Sequence, residues 1–470
     1  MALNMISIIV YFIAISSIPA LYCNALFVST DRASYDLDDV IERDVVVIGG
    51  GSSGTYSSIR LKDYNKTIVV VEKKATLGGH AEAWVEPSTG TPIDIGTIVF
   101  AHLDTVTNYF ARFNLSLITV ESAALGKYVD FSTGEVTNYN PPSQEAFRVA
   151  LSDYLDQLKK YPALQDGFNM SYPVAPDLLL SFGDFAKKYQ LDDLVPQVFL
   201  FNQGAVPILD VSMLYTFKYL NSDEVSSLEQ GFLTTEHHST TELYQKAAEY
   251  LGSDVLFNST VIGMDRSCPK EVRVAVQTGS GRKLIIAKSI LSTIPPVLEN
   301  LGGYDLSAEE VSLFGQFFAN GYYTGVLNNT GLDEPLIATG PGRRYDLPVL
   351  PGIYTATPIV IGEGGMTQIY YGSPTVLPDE QVQADIVATI RRYQDRNGLP
   401  VTEPNWLKFS SHSPFNLMVS NDAIADGFYK KLFSLQGQRN TFYNGAAWQT
   451  QDSSVIWKFT DDYVIPKILG

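Results

Sequence analysis

A chain of 470 residues exceeds the roughly 150 of one ordinary domain and implies two or three units. Its 45% hydrophobic and 18% charged residues, free of long low-complexity tracts and like-charge blocks, exclude a disordered chain. The net charge of −18, from 51 acids against 33 bases, sets most of the surface against a phosphate backbone and excludes nucleic acid as the expected partner.

The first 25 residues carry no charge, and the run from Met5 to Leu21 is almost wholly apolar before Cys23-Asn24-Ala25. Small residues at these positions suit cleavage after Ala25, so residues 1–25 read as a signal peptide and the mature chain as secreted. The segment lacks a positive start and is nearly long enough to cross a bilayer, so an uncleaved membrane anchor stays open. Sequons at Asn65, Asn114, Asn169, Asn258 and Asn328 are compatible with glycosylation. Removal of Cys23 with the signal leaves Cys268 alone, without an intrachain disulfide. The five histidines form no H-x-x-x-H or Cys/His cluster, and no metal site is expected.

The most informative stretch follows. The apolar run Asp44 to Ile48 ends in Gly49-Gly50-Gly51-Ser52-Ser53-Gly54, and a second apolar run, Thr67 to Val71, ends in Glu72. A strand, a glycine turn, a helix and an acid about 20 residues on form the dinucleotide-binding βαβ fingerprint. Gly49 permits the turn, Gly51 a close approach to pyrophosphate and Gly54 close helix packing, while the helix N-terminus favours the phosphates. Glu72 then accepts from the adenosine ribose. The same residues also spell G-x-S-x-G, so a serine hydrolase with Ser52 as nucleophile is the rival reading. An elbow follows several earlier strands and gives no reason for Glu72.

Leu77-Gly78-Gly79-His80 and Asp94-Ile95-Gly96-Thr97 mark two further glycine-permissive approaches. Residues 145–250 read mostly helical, near 146–160, 183–191, 208–220 and 240–251. Strands return at Val255, at Val261, over 272–276 and over 284–287, with a hairpin at Gly279-Ser280-Gly281, and Pro295-Pro296 ends this sheet. A second insertion has strands near 321–327 and 366–371 and helices near 380–396 and 422–435. A last strand, Thr441 to Tyr443, enters the turn Asn444 to Trp448, and Asp452 is placed to cap the final helix.

This order resembles the flavin amine oxidase superfamily across nearly the whole mature chain. More closely, it is similar to secreted fungal FAD-dependent oxidoreductases of the β-cyclopiazonate dehydrogenase type. The phrases carrying that likeness are Gly49 to Tyr56, Leu77 to His80, Leu251 to Val255, Thr293 to Pro296 with Leu298-Glu299-Asn300-Leu301, Phe409 with His412 and Pro414, and Gly427 to Tyr429 before Leu435-Gln436-Gly437. The resemblance implies an α/β fold with a Rossmann-like FAD-binding domain (43–110, 251–300 and 437–470) interleaved with a mixed helical and sheet substrate domain (111–250 and 301–436).

It also implies FAD held by Gly49, Gly51, Ser53, Gly54, Glu72, Gly78, Gly79, His80, Gly96, Thr97, Val261, Gly445 and Ala446. Tyr443 and Trp448 are its expected substrate-pocket rings. Two departures stand out. His80 replaces the usual Arg after the paired glycines, and Tyr322, Tyr323 and Thr324 stand where amine oxidases supply a Lys, against ordinary amine-oxidase chemistry. The expected function is dehydrogenation of a small hydrophobic or alkaloid-like fungal metabolite by hydride transfer to flavin N5, with the ring closure of the dehydrogenase type and molecular oxygen as electron acceptor. Flavin amine oxidase is the alternative. His412 and Tyr323 are the weak candidates for a catalytic side chain.

Overall fold

A computed structural model describes residues 28–120, 126–202, 207–359 and 365–470. The expected signal peptide lies outside the described residues.

The strand Val40–Ile48 lies between two parallel partners, Ile68–Val71 and Gly281–Ser292. Val45, Val46 and Val47 are all buried, as a central strand covered on both faces requires, so its apolar run is continuous rather than alternating. The sheet runs in the order Thr260–Asp265, Val272–Thr278, Gly281–Ser292, Val40–Ile48, Ile68–Val71, Val255–Leu256, and Thr441–Tyr443 pairs in parallel with the end of Gly281–Ser292. Thr278 pairs with Gly281, leaving Gly279 and Ser280 as the two-residue turn of the expected hairpin.

A second seven-stranded sheet has the order Asn405–Ser411, Gly321–Asn328, Met366–Ser373, Gly352–Ile359, Leu336–Ala338, Lys127–Asp130, Glu135–Val136. Only two of its strands, Gly321–Asn328 and Met366–Ser373, were legible in the sequence. Helices over Gln144–Leu158, Phe182–Tyr189, Thr240–Leu251 and Asp379–Arg396 match the expected ones to within a few residues. Two segments differ. The span 208–220 breaks into a 3-10 turn, Ile208–Asp210, and a helix, Met213–Tyr219. The span 422–435 breaks into Asn421–Ala425 and Phe428–Ser434, because Gly427 takes φ +83°.

The first sheet is tied down by a buried ion-pair network. Arg266 donates from Nε to Asp305 at 2.7 Å and from Nη1 to Glu310 at 2.7 Å, and Glu310 also accepts from the Tyr443 hydroxyl at 2.5 Å. Burial opposes ionisation of Glu310, but Arg266, the Ser307 N–H and Tyr443 hold its carboxyl down at about 2. The second sheet reaches the first unit through Gln368, which donates to the Asp94 carbonyl at 2.6 Å, and through Thr324, which bonds the Ile95 carbonyl.

Four of the sequon asparagines, Asn65, Asn114, Asn169 and Asn258, are exposed. Asn328 is half-buried at the end of a central strand, with Oδ1 enclosed. Among the described residues no helix is long and apolar enough to cross a membrane.

Candidate active site

The glycine turn, the pair Gly78-Gly79 and Gly96 converge on one cavity of about 780 Å³. The helix Ser52–Asp63 starts directly from the first strand and packs so closely that a Cβ on Gly54 would lie 1.9 Å from the Gly49 carbonyl oxygen. Gly51 bridges to Gly78, and a Cβ on Gly79 would come within 2.9 Å of Gly51 Cα. These backbones cross at a separation that requires glycine at position 79, and the helix Ser52–Asp63, whose first N–H groups have no partner within the helix, starts at the cavity. Ser53 lines it with a buried Oγ that has no partner in the protein.

At the end of the second strand, Glu72 is 5% exposed; Oε2 accepts from the Gly50 N–H at 2.6 Å and Oε1 from the Lys74 N–H at 2.7 Å. The carboxylate therefore braces the turn and keeps lone pairs for a ribose. The residues present fit FAD: an anion cradle with an orphaned hydroxyl, an acid at the ribose position, and Val261, Gly96, Thr97, Gly445 and Ala446 along the same cavity. Asp452 caps the helix Ser453–Phe459, accepting from Ser454 N at 2.8 Å.

Beyond the cradle the wall becomes aromatic. Tyr322, Tyr354, Tyr370 and Phe415 line it, together with His80 and His412. The two imidazoles stack with centroids 4.9 Å apart and planes at 7°. Burial lowers both, His80 to about 4 and His412 well below its ordinary value, so both rings are neutral. Glu224 also lines the cavity; burial, then Asp452 beside it, pushes its carboxyl well above the usual range, so it carries a proton. Sequence reasoning missed Tyr354, Tyr370 and Glu224, which sit in elements without a motif.

Three sequence expectations are corrected. Tyr323 does not face the cavity: its hydroxyl donates to the Leu377 carbonyl at 2.9 Å and accepts from the Leu377 N–H at 2.7 Å, while its neighbour Tyr322 takes the cavity side. Tyr443 and Trp448 do not line it either; they stack on each other at 4.9 Å behind the turn, whose backbone from Asn444 to Ala447 does. Ser52 Oγ bonds Ser453 Oγ at 2.8 Å and accepts from Trp457 Nε1 at 3.0 Å. No imidazole reaches it among the described residues, so the elbow lacks its base.

Residues 47–113 match the model of an NAD(P)-binding Rossmann-like domain. The chain is 39% identical over 448 residues to the FAD-dependent oxidoreductase oblC of Cochliobolus heterostrophus, covering 92% of each chain. It is 33% identical over 432 residues to β-cyclopiazonate dehydrogenase of Aspergillus flavus, covering 91% of this chain and 93% of that one. In fold it is similar to a CLA-producing fatty acid isomerase from P. acnes (TM-score 0.73, 18% identity, 93% of this chain and 99% of that one). It is likewise similar to putrescine oxidase solved with putrescine (TM-score 0.67, 16% identity, 92% and 100%). With a glycine cradle and a ribose acid opening onto one aromatic cavity, and with this likeness along nearly its full length, the chain belongs to the family of FAD-dependent oxidoreductases that includes β-cyclopiazonate dehydrogenase.

Proposed function

We propose that this enzyme dehydrogenates a small, largely hydrophobic, ring-bearing metabolite of the alkaloid-like class, with oxygen as final electron acceptor. Bound FAD supplies the two-electron acceptor. The chain's part is to bind FAD through the cradle and Glu72, to orient the donor against the aromatic wall, and to exclude water. The observation that carries the reading is that wall. Tyr322, Tyr354 and Tyr370 keep their protons, since burial raises each, and His80, His412 and Glu224 are neutral beside them. A site walled in this way favours an uncharged ring system over a small ammonium ion. The cofactor and substrate halves follow the chain segments assigned above, and the charge-free apolar N-terminus supports export.

The test is anaerobic bleaching of the yellow protein by simple primary amines and by prenylated or polycyclic indoles, followed by peroxide detection in air. Bleaching by the polycyclic donors with peroxide on aeration is expected. Rapid bleaching by simple amines alone would overturn the substrate class, and bleaching without peroxide would require another acceptor. N-terminal sequencing of protein from culture medium tests export, with a start near Leu26 expected; an intact Met1 on membrane-bound protein would favour the anchor.

A further inference from the structure

At the substrate end of the cavity, His412 is 2% exposed and its Nε2 has no hydrogen-bond partner in the protein. Buried polar atoms are almost always paired, and an orphan calls for a use. The ring is not free to turn in search of a partner. The main-chain N–H of His412 donates to the Tyr322 carbonyl at 2.9 Å and the Tyr322 N–H donates to Ser413 Oγ at 3.2 Å, which fixes the backbone that carries the ring, and the imidazole itself lies flat on His80 and edge-on to Tyr322 at 5.3 Å and 74°. Burial, with His80 and Lys74 nearby, keeps the imidazole neutral, so one of its nitrogens is an acceptor. Its neighbours Tyr322 and Tyr354 hydrogen-bond to each other and are held protonated. Hydroxyl donors therefore stand beside an imidazole acceptor on one wall.

We infer that His412 is a specificity-determining residue, whose Nε2 accepts a hydrogen bond from an O–H or N–H carried on the conjugated ring system of the substrate: a phenol, an enol or a ring N–H. The inference rests on the proposed reading of this end of the cavity as the substrate's. A ring with its X–H capped fills the same space but leaves Nε2 unpaired.

The FAD-loaded protein is titrated with 2-naphthol and with 2-methoxynaphthalene, read by perturbation of the flavin absorbance and quenching of naphthalene fluorescence. The naphthol is expected to bind about fivefold to tenfold more tightly than its ether. His412→Phe, which keeps a ring to stack on His80, lowers naphthol affinity to that of the ether and leaves the ether unchanged. His412→Leu makes the same deletion with a smaller side chain, and His412→Gln, which retains an acceptor, restores part of the preference. Flavin content and melting temperature report folding of each variant. Equal affinity for the two probes in the parent protein, or a preference that survives in both deletion variants, overturns the inference. Flavin loss in the deletions with the preference intact also overturns it and assigns Nε2 to FAD. Failure of both naphthalenes to bind the parent protein brings down the aromatic-substrate reading itself.

Discussion

Gly51→Ala and Gly54→Ala stand three residues apart in the same turn and are expected to fail in different ways. Gly51 has φ −70° and ψ −171°, which alanine adopts freely, and its added Cβ would meet only Gly79 Cα, at an ordinary 3.7 Å. The folded apoprotein should change by no more than about 0.5 kcal/mol. That methyl nevertheless stands where the pyrophosphate is to approach the helix N-terminus. Losing two charge-assisted hydrogen bonds, each worth about 1.5–3 kcal/mol, weakens FAD by at least ~100-fold. At Gly54 the added Cβ would lie 1.9 Å from the Gly49 carbonyl oxygen and 2.7 Å from Thr293 Oγ1, so the helix must lift off its strand. Overpacking of this kind costs about 3 kcal/mol or more, with or without cofactor. Thermal melting of the deflavinated proteins and titration by quenching of FAD fluorescence separate the two effects. Parental FAD affinity in Gly51→Ala would show that no phosphate passes over that residue, and parental melting in Gly54→Ala would refute the close-packing argument.

Glu72→Gln must turn an amide nitrogen toward the N–H of Gly50 or Lys74, and FAD affinity should fall by about 1–3 kcal/mol, measured by the same titration. Ser52→Ala should retain flavin and most activity; a flavin-replete but inactive variant would reinstate the serine hydrolase. Glu310→Gln leaves the buried Arg266 short of an anionic partner, and chemical denaturation should show a loss of about 3 kcal/mol or more. Burial raises the Asp94 carboxyl from 3.8 to about 7, against the pull of its bonds from Thr240. A folded-state value above the unfolded one gives stability that is full below about pH 4 and lost as pH climbs through 7. Asp94→Asn should flatten that part of the melting-temperature profile, and an unchanged slope would show that Asp94 is not its source.

The cofactor half was legible because each of its constraints is local. A glycine turn, a helix start and an acid at the next strand end occupy 24 consecutive residues, Gly49 to Glu72, and backbone sterics alone dictate their order. The second sheet is written in strand register, which sequence shows only when one face of a strand is wet. Gly321 to Leu327 are all buried, so no alternation of polar and apolar residues distinguishes Tyr322, which faces the cavity, from Tyr323, which does not. The same holds for Tyr443, whose ring turns inward to Glu310 while the next four residues face the cavity. Arg266, Asp305 and Glu310 carry no motif, and their ion pairs exist only once distant segments meet.

Register also explains how two sheets build one site. Thr324 pairs across the sheet with Tyr370 on one side and Ser410 on the other, so these three side chains share a face; Tyr322 and Gln368 join it two residues along their strands, and His412 follows Ser410 by two. That face looks toward the cofactor half. Ser410 bonds Glu82, Thr324 bonds the Ile95 carbonyl and Gln368 the Asp94 carbonyl, clamping the segment that leads into Gly96 and Thr97. The residues between these clamps, Tyr322, Tyr370 and His412, have no such partners in the first unit and are left facing the cavity. The docking that positions the backbone along the FAD site thus also aims the aromatic wall at it, and a one-residue slip of the strand Gly321–Asn328 would undo both at once.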